Sequence, residues 1–296
     1  MEFVGSWGNY MVQISVSIVL YHNPINKVRR AIKSLLNTDV PIKLSLVDNS
    51  SHDELRTLAD MDERIEYIFS SSNRGYRAGH NTAIRRNLHE GAKYHLAMNP
   101  DVYFERPTLE TIYGYMEKNP DVGLLMPGIL YPDGSVQHLC KILPTPFDVF
   151  SRRFLPFRKM VERRNNIYEL RFTGYNKIMD VPYLSGCFMF MRTEAAGEIG
   201  FFDERFFMYF EDVDLSRRIH RRYRTVYYPG ACVYHGFEKE SYRNLKLLRD
   251  HIKSAIQYFN KWGWFFDKER DKINRETLER VSRKNPDEYP GGAQNR

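Results

Sequence analysis

The segment Tyr94-His95-Leu96-Ala97-Met98-Asn99-Pro100-Asp101-Val102 joins an apolar run to a turn that carries a carboxylate. The apolar run predicts a buried strand, so Asp101 is expected where a strand of an α/β sheet ends. Ligands of open α/β sheets bind at such strand ends. A hard divalent cation needs oxygen ligands of this kind, and a bound diphosphate can supply the others. The segment therefore predicts an α/β fold with a candidate metal site at one edge of its sheet.

The residues around this segment alternate between strand and helix patterns, which is typical of a mostly parallel sheet. Strands are predicted at 14–20, 44–47, 65–69 and 94–98. Apolar residues at helical spacing follow the first strand, with Asn23 as the predicted N-cap and Pro24 as the first helical residue. A glycine-bearing turn leads into a second helix within 75–88. This half of the pattern predicts two nucleotide-binding βαβ units.

The second half of the chain has a different pattern. Strands are predicted at 123–130, 181–184, 187–191 and 225–228, and helices at 212–222 and 245–266. Residues 151–178 form a basic, aromatic insert with eight lysines and arginines against two glutamates. The tail after Lys268 is charged and ends in Pro290-Gly291-Gly292, so we expect it to fray.

Composition limits the possible functions. The chain has 296 residues, of which 42% are hydrophobic and 14% aromatic, so it is long and apolar enough for one large folded domain with an appendage. Its 44 basic and 37 acidic residues give a net charge of +7. Such a surface suits nucleic acid, an anionic membrane or a phosphorylated substrate. No recognised nucleic-acid motif accompanies the charge, so we expect no nucleic-acid partner.

Cysteine usage and hydropathy suggest a cellular location. Cys140, Cys187 and Cys232 are far apart and lack metal spacing. We therefore expect reduced thiols in a cytoplasmic protein. The run Ile14–Leu20 is shorter than the ~20 apolar residues of a bilayer span. No small-residue cleavage site follows it, so we expect no signal peptide, with Met11 as a possible working start.

Two motifs in the first half have both a binding and a structural interpretation. Asp48, in Asp48-Asn49-Ser50-Ser51, could accept hydrogen bonds from a nucleobase or ribose, but these residues also favour an ordinary turn. In the segment 73–81, Gly75 and Gly79 would let the backbone approach a ligand at a helix N-terminus that favours phosphate. A plain loop-to-helix junction is the alternative.

A second acidic segment, Glu211-Asp212-Val213-Asp214, follows the aromatic run 206–210. Adjacent acids in apolar surroundings repel each other and lose water, which raises one pKa toward that of a general base. Asp212 could instead cap a helix, where backbone donors would lower its pKa. His235 could complete a metal site as a neutral imidazole, although a lone histidine is more often structural. His22, His80 and His95 are interpreted as structural.

Taken together, these motifs resemble the family-2 inverting glycosyltransferases of the GT-A fold, and among them bacterial rhamnosyltransferases and related O-antigen or capsule enzymes. The resemblance covers about residues 12–260 and depends on the order and spacing of seven short segments. They are Val19-Leu20-Tyr21, 47–51, Asn73-x-Gly75-x3-Gly79-x-Asn81, Asn99-Pro100-Asp101, Leu184-Ser185-Gly186, Phe210-Glu211-Asp212-x-Asp214 and His235. The resemblance implies a mixed, mainly parallel α/β sheet flanked by helices, with a C-terminal helical appendage.

The resemblance also implies a role for each position. Asp212 would be the catalytic base, with Glu211 beside it. Asp101 and His235 would bind Mg²⁺ or Mn²⁺, while Asn99 replaces the first Asp of the family's Asp-x-Asp element. The nucleotide would contact Leu20, Tyr21, Asp48, Asn73, Gly75 and Asn99, and the donor or acceptor sugar would contact Ser185 and Gly186.

The implied reaction is transfer of a sugar, with inversion, from a nucleoside-diphosphate donor to a hydroxyl of a glycan or polyprenyl-diphosphate-linked glycan. dTDP-L-rhamnose is the first choice of donor, and O-antigen, capsule or cell-wall polysaccharide is the expected product. A UDP-hexose or UDP-N-acetylhexosamine donor and a non-catalytic sugar-nucleotide-binding homologue are the alternatives.

We expect an N-terminal extension at 1–11, a glycosyltransferase domain at 12–240 and a C-terminal helical region with a charged tail at 241–296. Within the domain, 12–102 would bind the nucleotide and 103–240, including the insert, the acceptor. The insert, the arginines at 217, 218, 221, 222 and 224, and the aromatic residues Trp262, Trp264, Phe265 and Phe266 could contact an anionic membrane surface. A solvated face, core packing or a dimer surface is the alternative, so an oligomer remains possible.

Overall fold

The computed structural model describes residues 11–87, 91–154, 158–236 and 245–283. The first half contains β1 (Ile14–Leu20), α1 (Ile25–Leu36), β2 (Ile42–Asp48), β3 (Ile65–Phe69), α2 (Tyr76–Asn87), β4 (Tyr94–Met98), β5 (Val102–Tyr103), α3 (Thr108–Lys118) and β6 (Val122–Leu130). The second half contains β7 (Cys140–Lys141), α4 (Pro146–Phe154), α5 (Arg158–Tyr168), β8 (Met179–Asp180), β9 (Tyr183–Leu184), β10 (Phe188–Arg192), α6 (Thr193–Ile199), α7 (Glu211–His220), β11 (Arg224–His235), α8 (Leu245–Trp262) and α9 (Lys268–Ser282).

The main sheet has the strand order β3-β2-β1-β4-β10-β6-β11-β5, with β8 paired to β11. Strands β3, β2, β1 and β4 are parallel, and β10 is inserted antiparallel between β4 and β6. The predicted mixed α/β sheet flanked by helices is therefore confirmed. Because Phe188 pairs with Met98, the turn after β4 lies beside the turn before β10.

The central strands are buried on both faces, as expected where helices cover a parallel sheet. Their polar side chains are satisfied internally. His95 lies 2.7 Å from the Ser15 hydroxyl through Nδ1 and 2.8 Å from the Ser17 hydroxyl through Nε2. Ser17 also contacts His80 Nδ1 at 2.6 Å. These contacts support the structural interpretation of His80 and His95.

Three predicted boundaries differ from the structure for local reasons. Strand β11 extends well past Tyr228, because it continues beyond an irregularity at Pro229-Gly230 that looks like a strand end in the sequence. Helix α8 ends at Trp262, since Gly263 has a φ of +107°. Asn23 does not cap α1; its side chain accepts a hydrogen bond from the Tyr21 N–H at 2.8 Å.

The prediction that the tail frays after Lys268 is wrong for the described residues, which form α9. Asp267 caps this helix by accepting the Arg270 N–H at 2.9 Å. The buried residues Arg270, Thr277 and Val281 recur at helical spacing. Two of these three are polar, which explains why hydropathy does not reveal the helix. Residues 284–296, including the Pro-Gly-Gly end, lie outside the described residues.

The thiols of Cys140, Cys187 and Cys232 are free, as predicted. In the described ranges, no helix combines the length and the apolar character needed to cross a membrane.

We predict that His95 makes the folded state sensitive to acid. Burial lowers the pKa of His95 to about 3, whereas an unfolded histidine has a pKa of about 6.5. Below about pH 6.5 protons therefore bind preferentially to the unfolded chain, and stability is lost as the pH falls. Between pH 7.5 and 5 the wild type should lose about 2 kcal/mol more than His95→Gln, measured by urea unfolding.

Glutamine keeps a donor and an acceptor for the two serines but does not titrate. All other titrating groups are shared by both proteins, so their contributions cancel in the comparison. Stability curves that stay parallel across this pH range would contradict the prediction.

Candidate active site

The turn after β4 and the end of β11 form one side of the site. Strands β5 and β11 are antiparallel, with His235 directly opposite Val102, so Asp101 lies next to the imidazole. Asp101 Oδ1 lies 3.5 Å from His235 Nε2, and Asn99 Nδ2 lies 3.4 Å from the same nitrogen. The Asp101 side chain is 24% exposed and that of His235 is 5% exposed. The structure thus brings Asn99 and Asp101 together with His235, which lies 136 positions after Asn99.

Gln137 orients this histidine. Its side-chain Nε2 donates to the carbonyl of His235 at 2.8 Å and to that of Leu130 at 3.3 Å. Its Oε1 therefore faces His235 Nδ1, 3.0 Å away, and an amide oxygen can only accept. The proton must lie on Nδ1, which leaves the Nε2 lone pair directed at Asp101 and Asn99. Burial also lowers the pKa of His235, with Asp101 acting in the opposite direction, so the imidazole is held neutral.

This donor set fits a divalent cation that takes other ligands from a substrate. A neutral imidazole nitrogen and a carboxylate oxygen both suit Mn²⁺, and the carboxylate suits Mg²⁺. Across the described ranges, no group of three or more His, Cys, Asp or Glu residues could hold a metal ion. The reason at this site is Asn99, which stands where a third ionisable ligand would be.

Asp212 lies in the first turn of α7 and is half-buried. Its Oδ2 accepts hydrogen bonds from the Gly186 N–H at 2.9 Å and the Tyr183 hydroxyl at 3.3 Å. Burial raises the pKa of Asp212, while the Gly186 and Val213 N–H groups, Lys141 and Tyr183 oppose the rise. The result is a fixed carboxylate with a pKa above its usual range, as a general base requires.

The alternative of a helix cap is wrong for Asp212. Helix α7 begins at Glu211, the cap position is Phe210, and no side chain caps it. Asp212 Oδ1 instead accepts the N–H of the next residue, Val213, at 2.9 Å.

The segment 185–187 joins the two acidic positions. The Asn99 N–H donates to the Cys187 carbonyl at 2.9 Å, and the Gly186 N–H binds Asp212. Asp101 and Asp212 both help to raise the pKa of the Cys187 thiol, which burial brings to about 12. Gly186 itself is closely packed, because an added Cβ would lie 3.2 Å from the Asp212 Cβ. The predicted positions Ser185, Gly186, Asp101 and Asp212 thus belong to one site.

The backbone that leads into α7 is strained. Tyr209 and Phe210 have φ values of 69° and 65°, a left-handed conformation that is rare for bulky residues. The Phe210 ring packs against His251, Tyr258 and Phe259 of α8. Ser254 of α8 also donates to the Met208 carbonyl at 2.8 Å. Such strain persists only where surrounding contacts hold it, and here α8 supplies those contacts.

Helix α8 and the start of α9 are tied to α7 by buried charges. The Trp262 indole N–H donates to Asp214 Oδ1 at 2.8 Å, and Lys261 pairs with the same carboxylate. Arg217, which is 1% exposed, forms ion pairs with Asp267 and Glu269 at 2.7 Å each. The prediction that Trp262 belongs to a membrane-facing belt is therefore wrong, because its ring lies under Arg217 and Arg221 inside this network.

The arginine cluster expected to contact anionic headgroups is also engaged within the protein. Each member pairs with acidic side chains: Arg217 as above, Arg218 with Asp214, Arg221 with Glu269, Arg222 with Glu198, and Arg224 with Asp121 and Asp180. In the insert, three basic residues are similarly occupied: Arg164 with Asp148, Arg171 with Glu162 and Glu169, and Lys177 with two carbonyls of the α9 end. The side chains at 151–158 lie outside the described residues.

Two predicted nucleotide contacts are buried. Asp48 is 0% exposed; its carboxylate accepts the Ser50 N–H at 2.8 Å and the Tyr67 hydroxyl. A base can reach it only if the Tyr67 hydroxyl moves away. Leu20 is also 0% exposed, backbone included, and its carbonyl accepts the Asn49 N–H at 2.9 Å, so no part of Leu20 is available for the predicted contact in this structure. Tyr21 is 48% exposed and accessible.

The segment 73–81 requires a glycine at position 75 for packing within the protein. Gly75 has a φ of +85°, and an added Cβ would lie 2.2 Å from the Phe207 carbonyl oxygen. Exposed Asn73 accepts the Gly75 N–H at 2.9 Å. The first turn of α2 is thereby packed against the segment that leads to α7.

Sequence reasoning misses Gln137, Tyr183 and Tyr76. The Tyr76 hydroxyl donates to the Gly186 carbonyl at 2.5 Å, beside Asp212. Gln137 and His235 are 98 positions apart, so no local pattern links them. The sequence gives only a local signal, since Pro132-Asp133-Gly134 favours a turn shortly before Gln137 and does not indicate a distant partner.

The sequence matches the model of glycosyl transferase family 2 over residues 15–200. The N-acetylglucosaminyl-diphospho-decaprenol L-rhamnosyltransferase of Mycobacterium tuberculosis is 29% identical over 241 residues, which are 76% of each chain. Rhamnosyltransferase WbbL of Escherichia coli is 23% identical over 269 residues, which cover 87% of this chain and 97% of WbbL.

Two solved structures share the fold. The mannosyltransferase PcManGT of Pyrobaculum calidifontis, in complex with GDP-Man and Mn²⁺, has a TM-score of 0.53 at 16% identity and covers 94% of this chain and 77% of its own. S. aureus TarS has a TM-score of 0.56 at 16% identity over 90% of this chain, which spans 43% of TarS. Because the family model matches well over half of its residues, the chain belongs to glycosyl transferase family 2 and is a glycosyltransferase of the GT-A fold.

Proposed function

We propose that this chain transfers L-rhamnose, with inversion, from dTDP-L-rhamnose to a hydroxyl of a lipid-linked glycan in polysaccharide synthesis. Both relatives described above are named rhamnosyltransferases, and the name of the mycobacterial one includes a diphospho-decaprenol acceptor. The observation that supports the proposal is that the segment 185–187 binds both the Asn99 N–H, two residues before Asp101, and the Asp212 carboxylate. A leaving diphosphate at one carboxylate and an attacking hydroxyl at the other would then meet in one site.

The mechanism follows from the residues. Asp212 takes the proton of the acceptor hydroxyl, whose oxygen forms a bond to C1 as the bond from C1 to the diphosphate breaks on the opposite face. The Gly186 N–H keeps the Asp212 carboxylate in position throughout. Asp101 and His235 would hold a Mg²⁺ or Mn²⁺ ion, which when bound offsets the charge of the leaving diphosphate.

The nucleotide would lie over the first half of the sheet. Tyr21 and Asn73 are exposed there, and Asn73 accepts the Gly75 N–H at the start of α2. Asp48 would contact the nucleobase after the Tyr67 hydroxyl has moved away from its carboxylate. Residues 12–102 would thus bind the nucleotide, and 103–240 the acceptor.

Asp212→Asn should abolish transfer while preserving donor binding. Asparagine still accepts the Gly186 N–H but cannot take a proton, so we expect kcat to fall by ~10²–10⁴-fold. Transfer is measured with dTDP-L-rhamnose, and binding by the thermal shift that each nucleotide sugar produces with Mn²⁺.

The same screen includes UDP-glucose, UDP-N-acetylglucosamine and GDP-mannose. A larger thermal shift with a UDP-sugar than with dTDP-L-rhamnose would identify the UDP-sugar as the donor. If no nucleotide sugar changed the unfolding temperature of the wild type, this would contradict the glycosyltransferase mechanism itself. Full activity of Asp212→Asn would show that Asp212 is not the catalytic base.

Gln137→Leu should weaken metal binding without affecting the fold greatly. Loss of the Oε1 acceptor frees His235 to adopt the tautomer with its proton on Nε2, which cannot ligate. Partners of metal-bound histidines typically contribute 10–100-fold in affinity, so we expect a loss of roughly that size. Mn²⁺ affinity is measured by electron paramagnetic resonance in the presence of dTDP.

The ¹⁵N shifts of His235 report the tautomer directly. Gln137→Glu is the matched control, since a carboxylate still accepts from Nδ1 and should keep the proton there. Unchanged ¹⁵N shifts in Gln137→Leu would contradict the orienting role.

We propose that the enzyme acts in the cytoplasm, at the inner face of the cell membrane, where a polyprenyl-linked acceptor would be anchored. Phe265 and Phe266 follow α8 and are 73% and 96% exposed. Arg270 holds the backbone of this turn by donating to the carbonyls of Trp264 and Phe265 at 3.1 and 3.3 Å. The turn is therefore fixed while two apolar rings project into solvent, beside the exposed Lys268.

Replacing Phe265 and Phe266 together by Ser should abolish membrane binding, because the two rings would supply the apolar contact. The measurement is co-flotation with liposomes rich in phosphatidylglycerol at low salt. Met11→Ser is the control, since Met11 is 76% exposed but lies elsewhere in the chain. Equal flotation of the double variant, or none by the wild type, would contradict this surface.

A further inference from the structure

Two buried polar atoms beside Asp212 have no hydrogen-bond partner within the described part of the chain. One is Nε of Arg77, in the first turn of α2, and the other is Oε2 of Glu211, the first residue of α7. Glu211 is 5% exposed. An unpaired buried donor or acceptor costs ~1–3 kcal/mol, so native proteins keep few of them.

The two helix starts meet at Gly186. The Tyr76 hydroxyl, next to Arg77 in the chain, donates to the Gly186 carbonyl, and the Gly186 N–H donates to Asp212, next to Glu211. Gly75 packs on the Phe207 carbonyl oxygen from the same side. The first turns of α2 and α7, which carry Arg77 and Glu211, therefore both contact Gly186.

The Arg77 and Glu211 side chains interact electrostatically, and no hydrogen bond joins them in the described structure. Burial and the Asp212 charge raise the pKa of Glu211, and the Arg77 charge opposes this rise. Burial lowers the pKa of Arg77, and Glu211 acts in the opposite direction together with Glu204 and Asp203. A third polar group that contacted both side chains would satisfy both unpaired atoms.

A sugar hydroxyl has the required chemistry. Because a hydroxyl both donates and accepts, it can accept a hydrogen bond from the Arg77 Nε–H and donate one to Oε2 of Glu211. A phosphate group matches less well, since it only accepts and would lie close to the acidic side chains of Glu211, Asp203 and Glu204.

We propose that Arg77 and Glu211 form a subsite for a non-reacting hydroxyl of the sugar at this active site. The inference rests on the proposed transferase function and deepens it by naming residues that select the sugar. The hydroxyl can belong to the transferred hexose or to the acceptor sugar, and the experiment separates these sources.

The test is Arg77→Met, with Arg86→Met as the matched control. Arg86 lies on the same helix, is 55% exposed and pairs with Glu66 away from this pair. Binding of dTDP and of dTDP-L-rhamnose is measured by calorimetry with Mn²⁺, and the acceptor KM by transfer kinetics. Thermal unfolding confirms that both variants are folded.

If the hydroxyl belongs to the donor, Arg77→Met should bind dTDP-L-rhamnose about tenfold more weakly and dTDP unchanged, because a charged hydrogen bond of about 1.4 kcal/mol is lost. If it belongs to the acceptor, donor binding should stay unchanged and the acceptor KM should rise by a similar factor. Glu211→Leu should have the same selective effect on binding.

Equal losses for dTDP and dTDP-L-rhamnose would assign Arg77 to the diphosphate and overturn the inference. Unchanged donor binding and acceptor KM in Arg77→Met would overturn it as well, while the transferase mechanism stands. A wild type that binds none of the nucleotide sugars would overturn both.

Discussion

The antiparallel insertion of β10 between β4 and β6 is the constraint on which the site depends. Pairing of Phe188 with Met98 sets the turn after β4 beside the segment 185–187. The backbone of that segment then has two free polar groups at the sheet edge, and each finds one partner: the Cys187 carbonyl accepts from Asn99, and the Gly186 N–H donates to Asp212. The turn that carries Asp101 and the helix that carries Asp212 are thus linked through hydrogen bonds to the main chain of one segment.

The arginines at 217–224 do not form a free basic surface, because they pair with acidic side chains inside the fold, and this pairing leaves the net charge of +7 unchanged. Arg217 is completely buried and needs Asp267 and Glu269, since an uncompensated buried charge is strongly destabilising. Arg218 similarly neutralises Asp214, which is 0% exposed. These pairs join α7 to the C-terminal helices, so the basic residues of this region stabilise the catalytic helix. Among the described residues, the exposed Phe265-Phe266 turn keeps the apolar surface that the sequence pattern predicts.

Sequence reasoning succeeds here where structure is local and fails where it is not. The strands at 14–20, 65–69 and 94–98 agree with the structure to the residue, because each is a short run of mainly apolar, strand-favouring residues. The acidic positions that follow such runs can be found for the same reason. The orientation of His235 by Gln137 depends on two distant segments, and α9 buries a stripe that is largely polar, so neither leaves a periodic apolar signal. The burial of Asp48 depends on Tyr67 in the neighbouring strand, which only the sheet order reveals.

The left-handed residues Tyr209 and Phe210 explain why the C-terminal helices belong to the active site even though they contribute none of its candidate catalytic groups. A bulky residue in this conformation costs of order 1–3 kcal/mol, and the strain is retained only if neighbouring contacts outweigh it. Those contacts come from α8, whose rings cover Phe210 and whose Ser254 holds the Met208 carbonyl. If they were lost, the segment could relax, α7 would rotate about its first turn, and Asp212 would leave Gly186. The packing of α8 therefore helps to hold Asp212 in its position beside Gly186.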